Sequence, residues 1–214
     1  ISLNPRFRHG ASVDVRAADG TILPDTAKVF RRQDGNPIDL YVHQDLALGM
    51  AQSGKGFVVT TGTGSGKSLC FFIPLIDAAV RARAAGEKRR TRAIIIYPMN
   101  ALANSQLEEI NGFLRESGLS DPPVVERYTG QESEADRERI AANPPDILLT
   151  NFMMLELLLT RADRKGRQVL ENARGLDWLV LDELHTYRGR QGADVAMLVR
   201  RLRDRLSPDH LRCI

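Results

Sequence analysis

Residues 61–68 read TGTGSGKS, and residues 178–185 read WLVLDELH. In the first stretch Gly62, Gly64 and Gly66 allow backbone angles that side chains forbid. Successive N–H groups of Thr61, Gly62, Thr63, Gly64 and Ser65 can then turn inward around phosphate oxygens. A helix opening near Gly66 adds unpaired N–H groups and the positive end of its dipole. Lys67 is placed to reach the β- and γ-phosphates, and the Ser68 hydroxyl to ligate Mg²⁺. The strict form of this loop has glycine where Thr61 stands; the rest is intact. The second stretch supplies the carboxylates that hydrolysis of a magnesium nucleoside triphosphate requires. Asp182 holds Mg²⁺, directly or through water, and Glu183 polarises the attacking water. Two adjacent acids at the end of a buried strand are costly unless a cation or hydrogen bonds compensate them.

These residues need strands and helices to position them. Short β-rich runs are expected at 57–61, 93–97, 124–128, 146–150, 178–182 and 211–214. Several, such as AIIIY and WLVLD, are almost wholly apolar, the pattern of a strand buried on both faces. Helical segments are expected at 40–52, 67–85, 100–117, 132–142, 151–160 and 191–206. In the last, Val195, Leu198, Val199, Leu202 and Leu206 share one face. Strand alternating with helix implies right-handed βαβ units: an α/β domain with a mainly parallel sheet and helices on both faces. Residues 1–38 mix turn residues, prolines and charges. They are expected to form an N-terminal extension or flap, with a short strand-like piece at 12–16.

Composition agrees with a globular domain. Of 214 residues, 43% are hydrophobic and 27% charged, enough for one sizeable core. The net charge of +3 permits a polyanionic partner without requiring one. Cys70 and Cys213 have no metal-binding spacing, and a reducing, cytoplasmic setting is expected. No apolar run approaches the roughly 20 residues of a membrane span.

TGTGSGKS followed by DELH resembles the first RecA-like motor domain of superfamily 2 helicases of the DEAD/DEAH-box group. Further signatures follow that family's order. LYVHQDLAL resembles its adenine-reading element, in which Gln44 bonds the adenine edge and Tyr41 stacks nearby. YPMNALANSQ resembles motif Ia, with Pro98, Asn100, Leu102 and Gln106. RYTGQE resembles the TG motif, Thr129 and Gly130, and ILLTNFMMLE resembles motif Ib, Thr150 and Asn151. The stretch DELHTYRGRQGADVAMLVRRLRDRL is similar to large Lhr-type bacterial helicases with a cysteine-rich C-terminal region, some of them in repair or antiviral defence.

The resemblance covers residues 39–214. It implies an ATP- and Mg²⁺-dependent motor that moves along or unwinds nucleic acid, with DNA favoured over RNA and neither settled by the residues. It places Pro98, Asn100, Gln106, Thr129, Gly130, Thr150 and Asn151 on the strand-gripping face, makes Arg188 and Arg190 candidates for nucleic-acid or inter-domain contacts, and makes His185 the link between that face and the ATP site. Such loops hold phosphates without reading bases. It also implies a second RecA-like domain that supplies an arginine to the ATP site, repair or defence partners, and no membrane association. The chain is expected to stop before motif III and to turn ATP over slowly by itself. Two other readings stay open from the residues: a P-loop enzyme acting on a small molecule, and a nucleotide-binding scaffold without turnover.

Overall fold

The computed structural model describes residues 7–62, 64–161, 163–206 and 210–214. A two-stranded antiparallel ribbon pairs β1 (His9–Ser12) with β2 (Asp39–Tyr41). Between them lie α1 (Val13–Ala18) and α2 (Pro24–Val29). There follow α3 (Val42–Gln52), α4 (Lys67–Ala84), β3 (Ala93–Tyr97), α5 (Asn100–Glu116), β4 (Val125–Arg127) and α6 (Glu134–Ala142). The chain continues through β5 (Ile147–Asn151), α7 (Phe152–Arg161), α8 (Arg164–Glu171), β6 (Trp178–Leu181), a 3₁₀ turn at Leu184–Thr186, α9 (Arg190–Leu206) and β7 (Arg212–Cys213).

Five strands form one parallel sheet in the order β4-β5-β3-β6-β7. β3 is central because it is apolar on both faces, and the period of two divides its side chains between two cores. Ala93, Ile95 and Tyr97 join Leu149 and Val180 on the face covered by residues of α1 to α5. Ile94 and Ile96 join Leu148 and Leu179 on the face covered by residues of α6 to α9. The expected architecture of a parallel sheet with helices on both faces is therefore present. Because every strand runs the same way, the loops that leave β3, β4, β5 and β6 all emerge at one edge of the sheet.

Some expectations change. Residues 57–61 are not a sheet strand. Only Phe57 reaches a neighbour, its N–H donating to Cys213 O at 2.9 Å, and Val58 is 74% exposed. A β-branched run becomes a strand only beside a ladder partner, and β7 offers two residues. At Gly56 a Cβ would come within 2.7 Å of Cys213 O, so the approach there requires glycine. Of residues 12–16 only Ser12 is strand, the last residue of β1; it accepts from Val15 N–H and caps α1, and residues 13–16 are helical. The helix α8 was not expected. Only Gly166, Val169 and Leu170 of it are buried, and its start is set by Asp163 accepting from Gly166 N–H at 2.7 Å. Cys70 and Cys213 are free thiols. No helix among the described residues is long and apolar enough to cross a membrane.

The N-terminal segment is fastened to α4 through one buried carboxylate. Asp77 accepts from Leu23 N–H at 2.7 Å, Thr26 Oγ1 at 2.8 Å and Arg81 Nε at 2.6 Å, and Thr26 is fully buried. Replacing Asp77 with alanine leaves the amide and hydroxyl without an acceptor, at a cost of about 2–4 kcal/mol. A fall in Tm of roughly 5–15 °C in thermal denaturation is the expected result.

Candidate functional site

α4 begins at Lys67, immediately after the glycine loop. Gly64 and Gly66 have φ of 74° and 67°, the left-handed region. A Cβ at Gly66 would also lie 2.7 Å from Gln44 Nε2 and push that side-chain amide aside. Thr63 lies outside the described residues. Thr61 Oγ1 and Ser65 Oγ share a 2.6 Å hydrogen bond that braces the loop across its width. The Lys67 ammonium donates to the carbonyls of Thr61 and Gly62 at 3.2 and 3.3 Å. Ser68 follows it in the first turn of α4.

α3 fixes the loop from behind. Gln44, buried, accepts from Tyr41 N–H at 2.8 Å and donates from Nε2 to Gly66 O at 2.8 Å. It thus ties the loop to α3. His43 Nε2 lies 2.9 Å from Ser65 O, a contact that sequence reasoning missed. Tyr41 packs against Phe7, His9 and His43, with ring centroids 5.1–5.8 Å apart. The spacing of LYVHQ carries the only sequence signal for that cluster.

The acids sit where expected, at the end of β6. Asp182 N–H donates to Ile96 O at 3.0 Å, which anchors the strand end to β3. Asp182 Oδ1 accepts from Glu183 N–H at 2.9 Å. Glu183 has φ of 50°, a left-handed conformation that costs a non-glycine residue about 1–2 kcal/mol. Its carboxylate lies 3.2 Å from His185 Nδ1. A cleft of about 590 Å³ is lined by Thr61, Gly62, Lys67, Asp182, Glu183 and His185, among others. The loop lysine and the acid pair therefore face one space.

Burial raises the Asp182 carboxyl above its ordinary value, and the Glu183 charge adds to the rise; the Glu183 N–H, Lys67 and His185 oppose it. The Tyr97 phenol beneath is also pushed well up by burial, with Asp182 contributing, and its hydroxyl has no hydrogen-bond partner among the described residues. A carboxyl with a raised folded-state pKa costs nothing while protonated in both states. Its penalty grows as pH rises from the unfolded value through the folded one, and is complete above it. Asp182→Asn is therefore expected to raise the Tm of the nucleotide-free chain at pH 7, with the gain vanishing below about pH 4, near the free carboxylate pKa. Thermal melts at the two pH values measure this.

The loops after β3 and β5 enclose a second cavity of about 690 Å³, lined by Pro98, Asn100, Asn151, Phe152, Met153 and Tyr187 among others. Asn151 organises it. Its Nδ2 donates to Asn100 Oδ1 at 2.6 Å and Thr129 O at 3.1 Å, and its Oδ1 accepts from Met154 N–H at 2.7 Å. Thr150, in contrast, is fully buried, its hydroxyl donating to Tyr128 O at 2.7 Å, so it supports the loop from below and presents no surface group. Gln106 lies on α5 away from the cavity lining and donates to Glu109 at 3.0 Å. The amides of Thr129 and Gly130 are both bonded to Glu132. Arg188 is exposed, its Nε donating to His185 O at 3.1 Å. Arg190 begins α9. Met99 and Met153, 65% and 73% exposed, were missed because nothing in their spacing marks them as surface residues. The turn after β6 joins the two spaces: His185 lines the acid cleft and Tyr187 the second cavity.

Comparison with known proteins agrees with this geometry. The helicase YprA of Bacillus subtilis is 34% identical over 165 residues, which are 77% of this chain and 20% of YprA. The crystal structure of the helicase MrfA bound to DNA and AMPPNP superposes with a TM-score of 0.77 at 28% identity, over 99% of this chain and 27% of MrfA. The helicase Lhr of Mycobacterium smegmatis, bound to single-stranded DNA and AMP-PNP, gives 0.63 at 28% identity, over 80% of this chain and 22% of Lhr. The chain thus spans about a fifth to a quarter of the length of these relatives. Residues 41–214, from the aromatic cluster through the acid pair to β7, match one family throughout: this chain belongs to the DEAD/DEAH box helicases.

Proposed function

We propose that this chain is the nucleotide-binding half of an ATP-driven motor that acts on a nucleic-acid strand, DNA in preference to RNA. One observation carries the reading: Lys67 and the pair Asp182 and Glu183, remote in sequence, line one cleft. The turn that bears the acids continues into the second cavity through Tyr187. In this reading Lys67 holds the outer phosphates, Glu183 orients the attacking water and His185 reports the state of the acids to the strand side. The described residues hold no cluster of three or more His, Cys, Asp or Glu suited to a metal. That fits Mg²⁺, which is bound through one or two protein oxygens plus substrate phosphates and water. Asp182, whose half-buried carboxylate forms no salt bridge among the described residues, and Ser68 are the oxygens that would hold it. The ion would neutralise charge developing on the phosphates. DNA is favoured because the structures of two relatives with 28% identity, MrfA and Lhr, have it bound.

Among the described residues, Lys67 is the only lysine or arginine lining the cleft. Turnover of the charged transition state then depends on an arginine brought by a second RecA-like domain, a contribution of about 10³–10⁵ in rate. The experiment is filter binding of oligothymidylate across a salt series, with phosphate release measured alongside. Retention that weakens with salt, and slow turnover by the 214-residue chain, are expected. Binding of ATP with no retention of any strand at low salt would point to a small-molecule P-loop enzyme.

A further inference from the structure

The loop after β4 already holds an anion, and it is the protein's own. Thr129 N–H and Gly130 N–H both donate to Glu132 Oε2 at 2.8 Å, and Thr129 Oγ1 donates to Glu132 Oε1 at 2.9 Å. Arg127 Nε lies 3.3 Å from the same oxygen. Gly130 has φ of 91°, which lets its N–H turn the same way as that of Thr129. Successive amides aimed at one point form an anion seat. The Glu132 side chain in it is only 4% exposed, whereas Gly130 is at the surface.

Helix capping does not explain this arrangement. α6 has its own cap, Ser133, whose Oγ accepts from Asp136 N–H at 3.1 Å, and Glu132 lies before that cap. Nor is the seat isolated. Thr129 O accepts from Asn151 Nδ2, so the loop is fastened to the residue that organises the second cavity.

We infer that the Thr129 and Gly130 seat takes a backbone phosphate of the strand in exchange for the Glu132 carboxylate, so that Glu132 sets how tightly the chain grips. The inference rests on the strand-binding reading above. Carboxylate and phosphate offer the same acceptor chemistry to two amides, a hydroxyl and a guanidinium. A seat open only part of the time weakens the apparent affinity by its open fraction, and removing the occupant restores it. Glu132 is therefore a positioning residue that acts through the loop.

The test uses the 214-residue chain with Glu132→Gln and Glu132→Ala, oligothymidylate as probe and 50 mM salt as a set condition. For seat occupancy of roughly 70–90% by the carboxylate, both variants bind about three- to tenfold more tightly than the parent. A purely structural role would lower Tm and leave affinity equal or weaker. That outcome, with the parent still retaining the strand, overturns the inference and leaves the strand-binding reading standing. No retention by the parent or either variant overturns that reading and this inference together. Should the variants fail to fold, the ¹³C resonance of the Glu132 carboxyl in the parent decides. It shifts on saturation with oligothymidylate if the carboxylate is displaced, and a stationary resonance overturns the inference.

Discussion

Replacing Lys67 with alanine is expected to weaken binding of ATP to the 214-residue chain by about ten- to a hundredfold. In the protein alone the ammonium bonds two carbonyls at 3.2 and 3.3 Å, contacts too long to matter much to the fold. Its truncation should leave Tm within a degree or two. A hydrogen bond to a charged group is worth about 1.5–3 kcal/mol, and no other lysine or arginine among the described residues lines the cleft to replace it. The substitution acts on the acids as well. Lys67 is one of the groups that hold the raised Asp182 carboxyl down, so its loss raises that carboxyl further and disfavours the ionised form that a metal requires. Titration with a fluorescent ATP analogue in the presence of Mg²⁺ measures the effect. Unchanged affinity would mean that the glycine loop does not hold the phosphates.

Glu183→Gln should separate binding from turnover. The amide has the carboxylate's shape and can keep the 3.2 Å contact with His185, but it cannot take a proton from water. Loss of a positioned general base reduces turnover by about 10²–10⁴. Nucleotide affinity should stay within about twofold, since the nearest phosphate-side group is Lys67. The measurement is phosphate release at saturating ATP, in the longest protein that contains this domain and with single-stranded DNA present. The backbone supports the assignment: a glutamate held at φ of 50° keeps a strained conformation that a purely structural turn would give to glycine. Normal turnover by the glutamine variant would place the water-orienting role elsewhere.

Much of the fold could be read from local pattern. AIIIY and WLVL are strands because an unbroken β-branched or apolar run, bounded by polar residues, can only be buried on both faces. Lys67–Ala84 and Arg190–Leu206 follow from helical periodicity. Residues 57–61 read the same way and are not a strand, because strand formation depends on a neighbour and a local window contains none. α8 escaped notice because its buried residues are too few to make a period.

Within the site the division is of another kind. Residue chemistry was legible: a lysine and a serine after a glycine loop, two acids at a strand end, an asparagine beside β5. Which of these groups are free to act was not. Gln44 bonds the loop, Thr150 bonds Tyr128, and the amides of Thr129 and Gly130 are occupied by a glutamate two and three residues on.

By itself, then, the sequence determined the chemical inventory and the order in which the chain presents it, since both depend on residue type and short-range period. Only the tertiary structure decided that the two halves of the inventory meet. Parallel register brings the carboxyl end of β6, and with it Asp182, to the edge where α4, tied to α3 through Gln44 and Gly66, presents Lys67, so the two share a cleft, and the same crowding selects the partner of each buried donor and acceptor. Hydrogen-bond partners are a property of juxtaposition, and juxtaposition is set by the sheet.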